Sequence, residues 1–186
     1  MFRLFIVVSL LICVGLIGNV AAQDAAQKTK DLVAALDKTK YKKKEKKNVS
    51  VEVFVDVKNE AVVKVDLTEY SGRYETEGYQ LLLTVGKDGK VTGSGYDSFA
   101  NSDKPTSFQL KDGRVDGALL TGTKVYDNGM EAALEAVFVN RTSRTGTNPN
   151  SINESSTKFG VGFIQNDSAG SPGNSGWTNR VFLDRR

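Results

Sequence analysis

Two near-identical stretches constrain this chain most: Lys87-Asp88-Gly89-Lys90-Val91-Thr92-Gly93 and Lys111-Asp112-Gly113-Arg114-Val115-Asp116-Gly117. Asp-Gly between extended runs marks a hairpin, because glycine adopts positive φ without steric cost. Asp127-Asn128-Gly129 adds a third marker of the same kind. Together they predict an antiparallel meander from about Tyr70 to the C-terminus. Strands are expected at 72–77, 79–85, 90–96, 106–110, 114–125, 130–140, 157–164 and 177–184, separated by turn-rich links.

Short links and many strands give a mostly β fold. The expectation is an antiparallel meander closing into a small barrel of about eight strands, or into a strongly curved sheet, since closure removes exposed edges. Glycines inside the strands (Gly93 and Gly95, Gly117 and Gly122, Gly160 and Gly162) mark either tight bending or a close approach by backbone or ligand. Leu81-Leu82-Leu83 and Ala136-Val137-Phe138-Val139 are apolar on both faces. The outside of the sheet is therefore expected to be covered, by a helix or by a second copy.

Ahead of the meander lie three segments. Residues 1–22 read as a signal peptide: Arg3 supplies the positive start, Leu4 to Ile17 the apolar core, and Val20-Ala21-Ala22 the small-residue cleavage region. The apolar run is short for a membrane span, so no transmembrane segment is expected after cleavage. The expected location is secreted or periplasmic. Residues 23–68 read as a helix plus a β-hairpin, and 69–186 as the barrel-like domain. The helix is expected over 24–40, with Leu32, Ala35 and Leu36 as a thin apolar stripe. Val49, Val51, Val53, Val55 and Val57 alternate with mostly polar residues, as in a half-buried strand, and 61–67 supplies its expected partner. Between helix and hairpin, residues 38–47 are rich in lysine. Lys42, Lys43, Lys44, Lys46 and Lys47 read either as a contact for an anionic envelope surface or as a solvated helix end. Secretion and the lack of arginine in the run argue against nucleic acid.

The only cysteine, Cys13, lies inside the leader, and the chain has no histidine. That sets aside Cys/His zinc sites, Ser-His-Asp triads and cysteine nucleophiles in the mature chain. No dinucleotide-binding or P-loop glycine pattern is present, so no cofactor and no metal are expected. Carboxylates remain as candidates for acid–base work, with Glu75, Glu77, Asp97, Asp116 and Glu135 scattered over the strands. Aromatic residues fall about one per strand. Tyr74, Tyr96, Tyr126 and Trp177 are the candidate ligand contacts at a cavity mouth, since a ring with a polar tip orients small ligands. Arg141 either pairs with Glu135 or stays exposed. The polar runs 141–156 (RTSRTGTNPNSINESS) and 166–176 (NDSAGSPGNSG) read as long loops. Four Asn-x-Ser/Thr acceptor patterns, at Asn48, Asn140, Asn153 and Asn166, arise easily in so polar a chain.

The function these features favour is a non-catalytic extracytoplasmic binding or interaction protein, its partner a protein or a small apolar ligand. Two alternatives stand beside it. One is a secreted carboxylate-based glycan hydrolase or lyase. The other is a structural envelope protein or an inhibitor of a secreted enzyme.

Overall fold

A computed structural model describes residues 23–46, 49–97, 105–148, 151–166 and 178–186. The signal peptide expected over 1–22, Trp177, Lys47 and most of 166–176 lie outside the described residues.

Among the described residues one helix, α1 (23–36), precedes ten strands: β1 Lys38–Lys46, β2 Val49–Ala61, β3 Gly72–Thr76, β4 Tyr79–Val85, β5 Lys90–Asp97, β6 Thr106–Asp116, β7 Leu119–Tyr126, β8 Glu131–Asn148, β9 Ser151–Asn166 and β10 Thr178–Arg185. They form a single antiparallel sheet in the order β1-β2-β8-β7-β6-β5-β4-β3-β10-β9, and β9 also pairs with β8. That last pairing closes eight strands, β3 to β10, into a ring. The ring is uneven. Its narrowest seam joins β10 to β3 through only Asp184↔Glu75 and Arg185↔Tyr74. The C-terminal arginines reinforce it: Arg185 donates to the Ser71 carbonyl at 2.8 Å, and Arg186 to the Glu75 carboxylate at 2.9 Å.

β8 and β9 are much longer than the other ring strands, and their far halves leave the ring. Residues 131–137 of β8 pair with β7, whereas 139–146 pair with β2 on the same edge. The far halves of β8 and β9, with β2 and β1, thus make a four-stranded extension of the ring wall. The joint is irregular: the register shifts between Val139 and Arg141, Phe159 sits at φ 62°, and the Asn140 side chain accepts from the Phe159 N–H at 2.9 Å.

The ring interior is solid with side chains. Tyr70, carried in by a short 3-10 turn (Leu67–Tyr70), stacks on Phe138 at 4.1 Å, with Phe159 5.7 Å away. Its hydroxyl lies 2.8 Å from the Gly117 carbonyl and accepts from the Lys64 N–H at 2.8 Å, so the buried polar tip is satisfied. Leu81, Leu83, Val85, Val91, Leu120 and Val161 fill around these rings. Outside the ring, α1 lays Leu36, Leu32 and Val33 over Val137 and Val139, the covering expected for a strand apolar on both faces. Gly162 makes this approach close: a Cβ there would sit 2.6 Å from a Leu36 methyl. In the described residues this strand glycine serves helix packing rather than ligand approach.

Four expectations are corrected. Lys111-Asp112-Gly113 is not a hairpin turn but a bulge inside β6, with Asp112 at φ 54° and the register against β7 shifting between Lys111 and Arg114. The turn falls one Asp-Gly later, at Asp116-Gly117, where Gly117 takes φ 59°. That choice lets Ala118, Leu119 and Leu120 follow directly as a buried run; the bulge absorbs the extra residues and bends the wall. Residues 61–67 do not form a strand beyond Ala61. From Val137 back to Glu131 the edge of β8 is occupied by β7, so the chain leaves the sheet after Val62 donates to the Phe138 carbonyl. The partner of β2 is instead the lysine run, which extends as β1, and the helix stops at residue 36 rather than 40. The polar run 141–156 is not a loop either: it forms the extended halves of β8 and β9, register-paired from Arg141↔Thr157 to Asn148↔Ser151.

Candidate functional site

Two places in the fold bring polar chemistry against apolar walls. The first is at the ring end where β5 finishes. Asp97, the last residue of β5, meets Lys124 of β7 at 2.6 Å, and both side chains are buried, 3% and 8% exposed. The Tyr126 hydroxyl donates to the same carboxylate oxygen at 2.9 Å. The Lys124 ammonium lies 5.4 Å from the Phe108 ring centre, 5.5 Å from Tyr126 and 5.9 Å from Phe163, a partial aromatic cage. Burial, followed by the neighbouring Asp97 charge, pushes the Tyr126 phenol well above its ordinary range. The second Asp97 oxygen, Oδ1, is buried and accepts no hydrogen bond among the described residues.

This constellation opens on a small depression lined by Tyr79, Tyr96, Phe108 and Phe163. A water centre can occupy only about 10 Å³ of it, which is room for roughly one water. Pockets that bury most of a drug-sized ligand run to about 300 Å³ and more. Chemically, the depression hosts a neutralised ion pair with one spare acceptor.

The second place lies outside the ring, where the end of α1 meets β2, β8 and β10. Arg141, Arg180, Asn59, Leu36, Val57 and Phe182 line a pocket of about 120 Å³. Asp37, just past the helix, pins this corner: its Oδ1 accepts from the backbone N–H of Asn59 at 2.6 Å and from the Asn59 side chain at 3.0 Å. Arg180 donates through Nε to the Ala35 carbonyl. The Arg141 guanidinium lies over the Phe182 ring, 4.8 Å from its centre.

The tyrosines expected at a cavity mouth separate. Tyr74 is fully buried in the aromatic core and donates to the Tyr70 carbonyl at 2.7 Å. Tyr126 belongs to the Asp97 cluster, and Tyr96, half-buried, lines the depression beside it. The lysines of the 42–46 run lie on β1, with Lys42 across from Val53 and Lys44 across from Val51 in register; their side chains are outside the described residues. The candidate carboxylates do not converge. Glu75 is held by Arg73 at 2.7 Å and Arg186 at 2.9 Å, Glu135 by Lys28 of α1 at 3.1 Å, and Asp97 by Lys124, while Glu77 and Asp116 are exposed. Arg141 therefore finds neither Glu135 nor open solvent but an aromatic face. Among the described residues no three His, Cys, Asp or Glu side chains are grouped to hold a metal ion.

Lys124 and Arg180 were missed in the sequence. A signal for the first exists: Leu120, Gly122, Lys124 and Tyr126 share one face of β7 by strict alternation, which places a lysine among core residues. Arg180 carries no comparable signal, because its neighbours in the pocket come from α1, β2 and β8.

Compared with known protein families, with curated proteins and with solved structures, the chain matches none.

Proposed function

We propose that this protein is a non-catalytic extracytoplasmic binding protein that engages an anionic envelope surface through the free edge of its sheet extension. The observation that carries this reading is the place of the lysine run. Lys38, Lys40, Lys42, Lys43, Lys44 and Lys46 all lie on β1, the terminal strand of the sheet order. Among the described residues β1 pairs only with β2, and it carries six lysines in nine residues along one edge. Near an anionic surface each lysine contributes about 1 kcal/mol, and the attraction decays within a Debye length. Two further features support a binder over an enzyme: among the described residues side chains pack the ring interior, and the candidate carboxylates do not converge, with Glu75, Asp97 and Glu135 each held by arginine or lysine and Glu77 and Asp116 exposed. The extracytoplasmic location rests on the leader-like residues 1–22.

Co-sedimentation with vesicles of phosphatidylcholine containing a third phosphatidylglycerol tests the proposal. Binding is expected at low salt, is expected to fall steeply as salt rises, and is expected to drop more than tenfold in a Lys42→Gln, Lys43→Gln, Lys44→Gln, Lys46→Gln variant. Equal binding to vesicles without phosphatidylglycerol, or no loss in the variant, would overturn it.

A further inference from the structure

The pocket between α1, β2, β8 and β10 holds hydrogen-bonding capacity that the fold does not use. Arg141 is half-buried, yet its guanidinium makes no hydrogen bond or ion pair among the described residues; its contact is the Phe182 ring, 4.8 Å away. Arg180 commits Nε to the Ala35 carbonyl and leaves its two terminal nitrogens uncommitted among the described residues. Two planar donor forks thus line one pocket of about 120 Å³. A guanidinium fork matches the two oxygens of a carboxylate or phosphate, and partial burial strengthens such a pair. Asp37, which pins this corner, is engaged elsewhere: Oδ1 takes both Asn59 donors, and Oδ2 lies 4.0 Å from Lys58. The pocket lining itself carries two arginines and no carboxylate. The opposite wall is apolar, formed by Leu36 and Val57, 5% and 7% exposed. Apolar walls with a few convergent polar groups describe a small-molecule site.

We propose that this pocket binds a small organic carboxylate, its two oxygens held by Arg141 and Arg180 and its apolar body lying against Leu36 and Val57. The site is distinct from β1 and does not rest on the surface-binding reading. The wall favours an organic acid over inorganic phosphate, which would leave Leu36 and Val57 facing a hydrated ion.

The test is titration of the purified protein with sodium benzoate, followed by backbone and arginine side-chain NMR shifts. The neutral isostere benzyl alcohol and inorganic phosphate are titrated in parallel. Saturable shifts are expected around Leu36, Asn59, Arg141 and Arg180 with benzoate, with at least tenfold weaker response to the other two. Arg141→Lys keeps the charge but loses the fork, and is expected to weaken benzoate about tenfold or more. Arg180→Gln, at an exposed position, gives the same test should Arg141→Lys fail to fold. Absence of saturable shifts, equal binding of benzyl alcohol or phosphate, or unchanged affinity in a folded variant would each overturn the proposal.

Discussion

The ring and its extension are built from the same two long strands and obey different rules. In the ring half of β8, residues 136–139 are all fully buried, with Phe138 stacked against both Tyr70 and Phe159 in a three-ring cluster. In the extended half the chain reads Thr-Ser-Arg-Thr-Gly, and its clearest side-chain contact is an exposed ion pair, Arg144 to Glu154 at 2.8 Å. Hydrophobic burial and aromatic packing hold the ring; in the far halves of β8 and β9 backbone pairing and surface charge take their place, and exposed ion pairs contribute little. The teaching is that strand length is not core length. A hairpin outruns its core when a neighbouring pair of strands, here β1 and β2, supplies backbone partners.

The largest expected effect is in the ring. Phe138→Ala should cost about 3–5 kcal/mol by denaturant unfolding, whereas Ile152→Ala in the extension should stay within about 0.5 kcal/mol. Similar costs at the two sites would erase the distinction. Nearly as large is Asp97→Ala, which leaves Lys124 buried without its partner and should cost about 3–5 kcal/mol. Replacing both, with Asp97→Leu and Lys124→Met, should recover most of that loss, because two desolvated charges are exchanged for apolar packing. A double variant as unstable as the single would mean that the pair organises the ring end.

At an intermediate level, Gly162→Ala should destabilise by about 1–3 kcal/mol through overpacking against Leu36. Limited proteolysis should show α1 released before the ring is cut. The ring should also fail first in alkali. Burial holds Tyr70, Tyr74 and Tyr126 above the ordinary phenol value of 10.0. The folded state therefore keeps protons that the unfolded state gives up above about pH 10. Their contribution to stability is whole below that point and drains away as pH rises toward the folded values. Phenolate absorbance and loss of tertiary signal should rise together; phenolate appearing first in a folded protein would contradict the buried placement. The smallest effect on stability belongs to β1. Changing Lys42, Lys44 and Lys46 to Thr should alter unfolding by under about 0.5 kcal/mol per residue. Self-association by light scattering should nevertheless increase, since edge lysines keep sheets from pairing.

Much of the ring was legible in the sequence. Turns at Gly89 and Gly129 fall where Asx-Gly stands, and β3, β4, β5 and β10 lie close to their expected bounds, whereas β6, β7, β8 and β9 depart from theirs by five or more residues. Two adjacent Asp-Gly pairs, at 112–113 and 116–117, offered two equally good turns, and only burial of Ala118 to Leu120 selects the second. Within the extension, β2 is announced by its alternating valines, whereas β1 and the far halves of β8 and β9 resemble helix end and loop because their signals are non-local. A lysine run extends only when the open edge of β2 is there to pair it, and Thr-Ser-Arg-Thr carries no apolar face to announce a strand. At the candidate sites, Asp97 and Tyr126 were visible as residue types, but their meeting with Lys124 depends on the β5–β6–β7 register. The Arg141 and Arg180 pocket gathers four elements, and no spacing in the chain encodes it.

Amide hydrogen exchange of the purified protein, with and without phosphatidylglycerol-containing vesicles, tests the division between scaffold and binding edge most directly. New protection is expected only within residues 38–61, with β3 to β7 unchanged. Protection appearing at the ring end around Tyr96 and Asp97, with β1 unaffected, would contradict it.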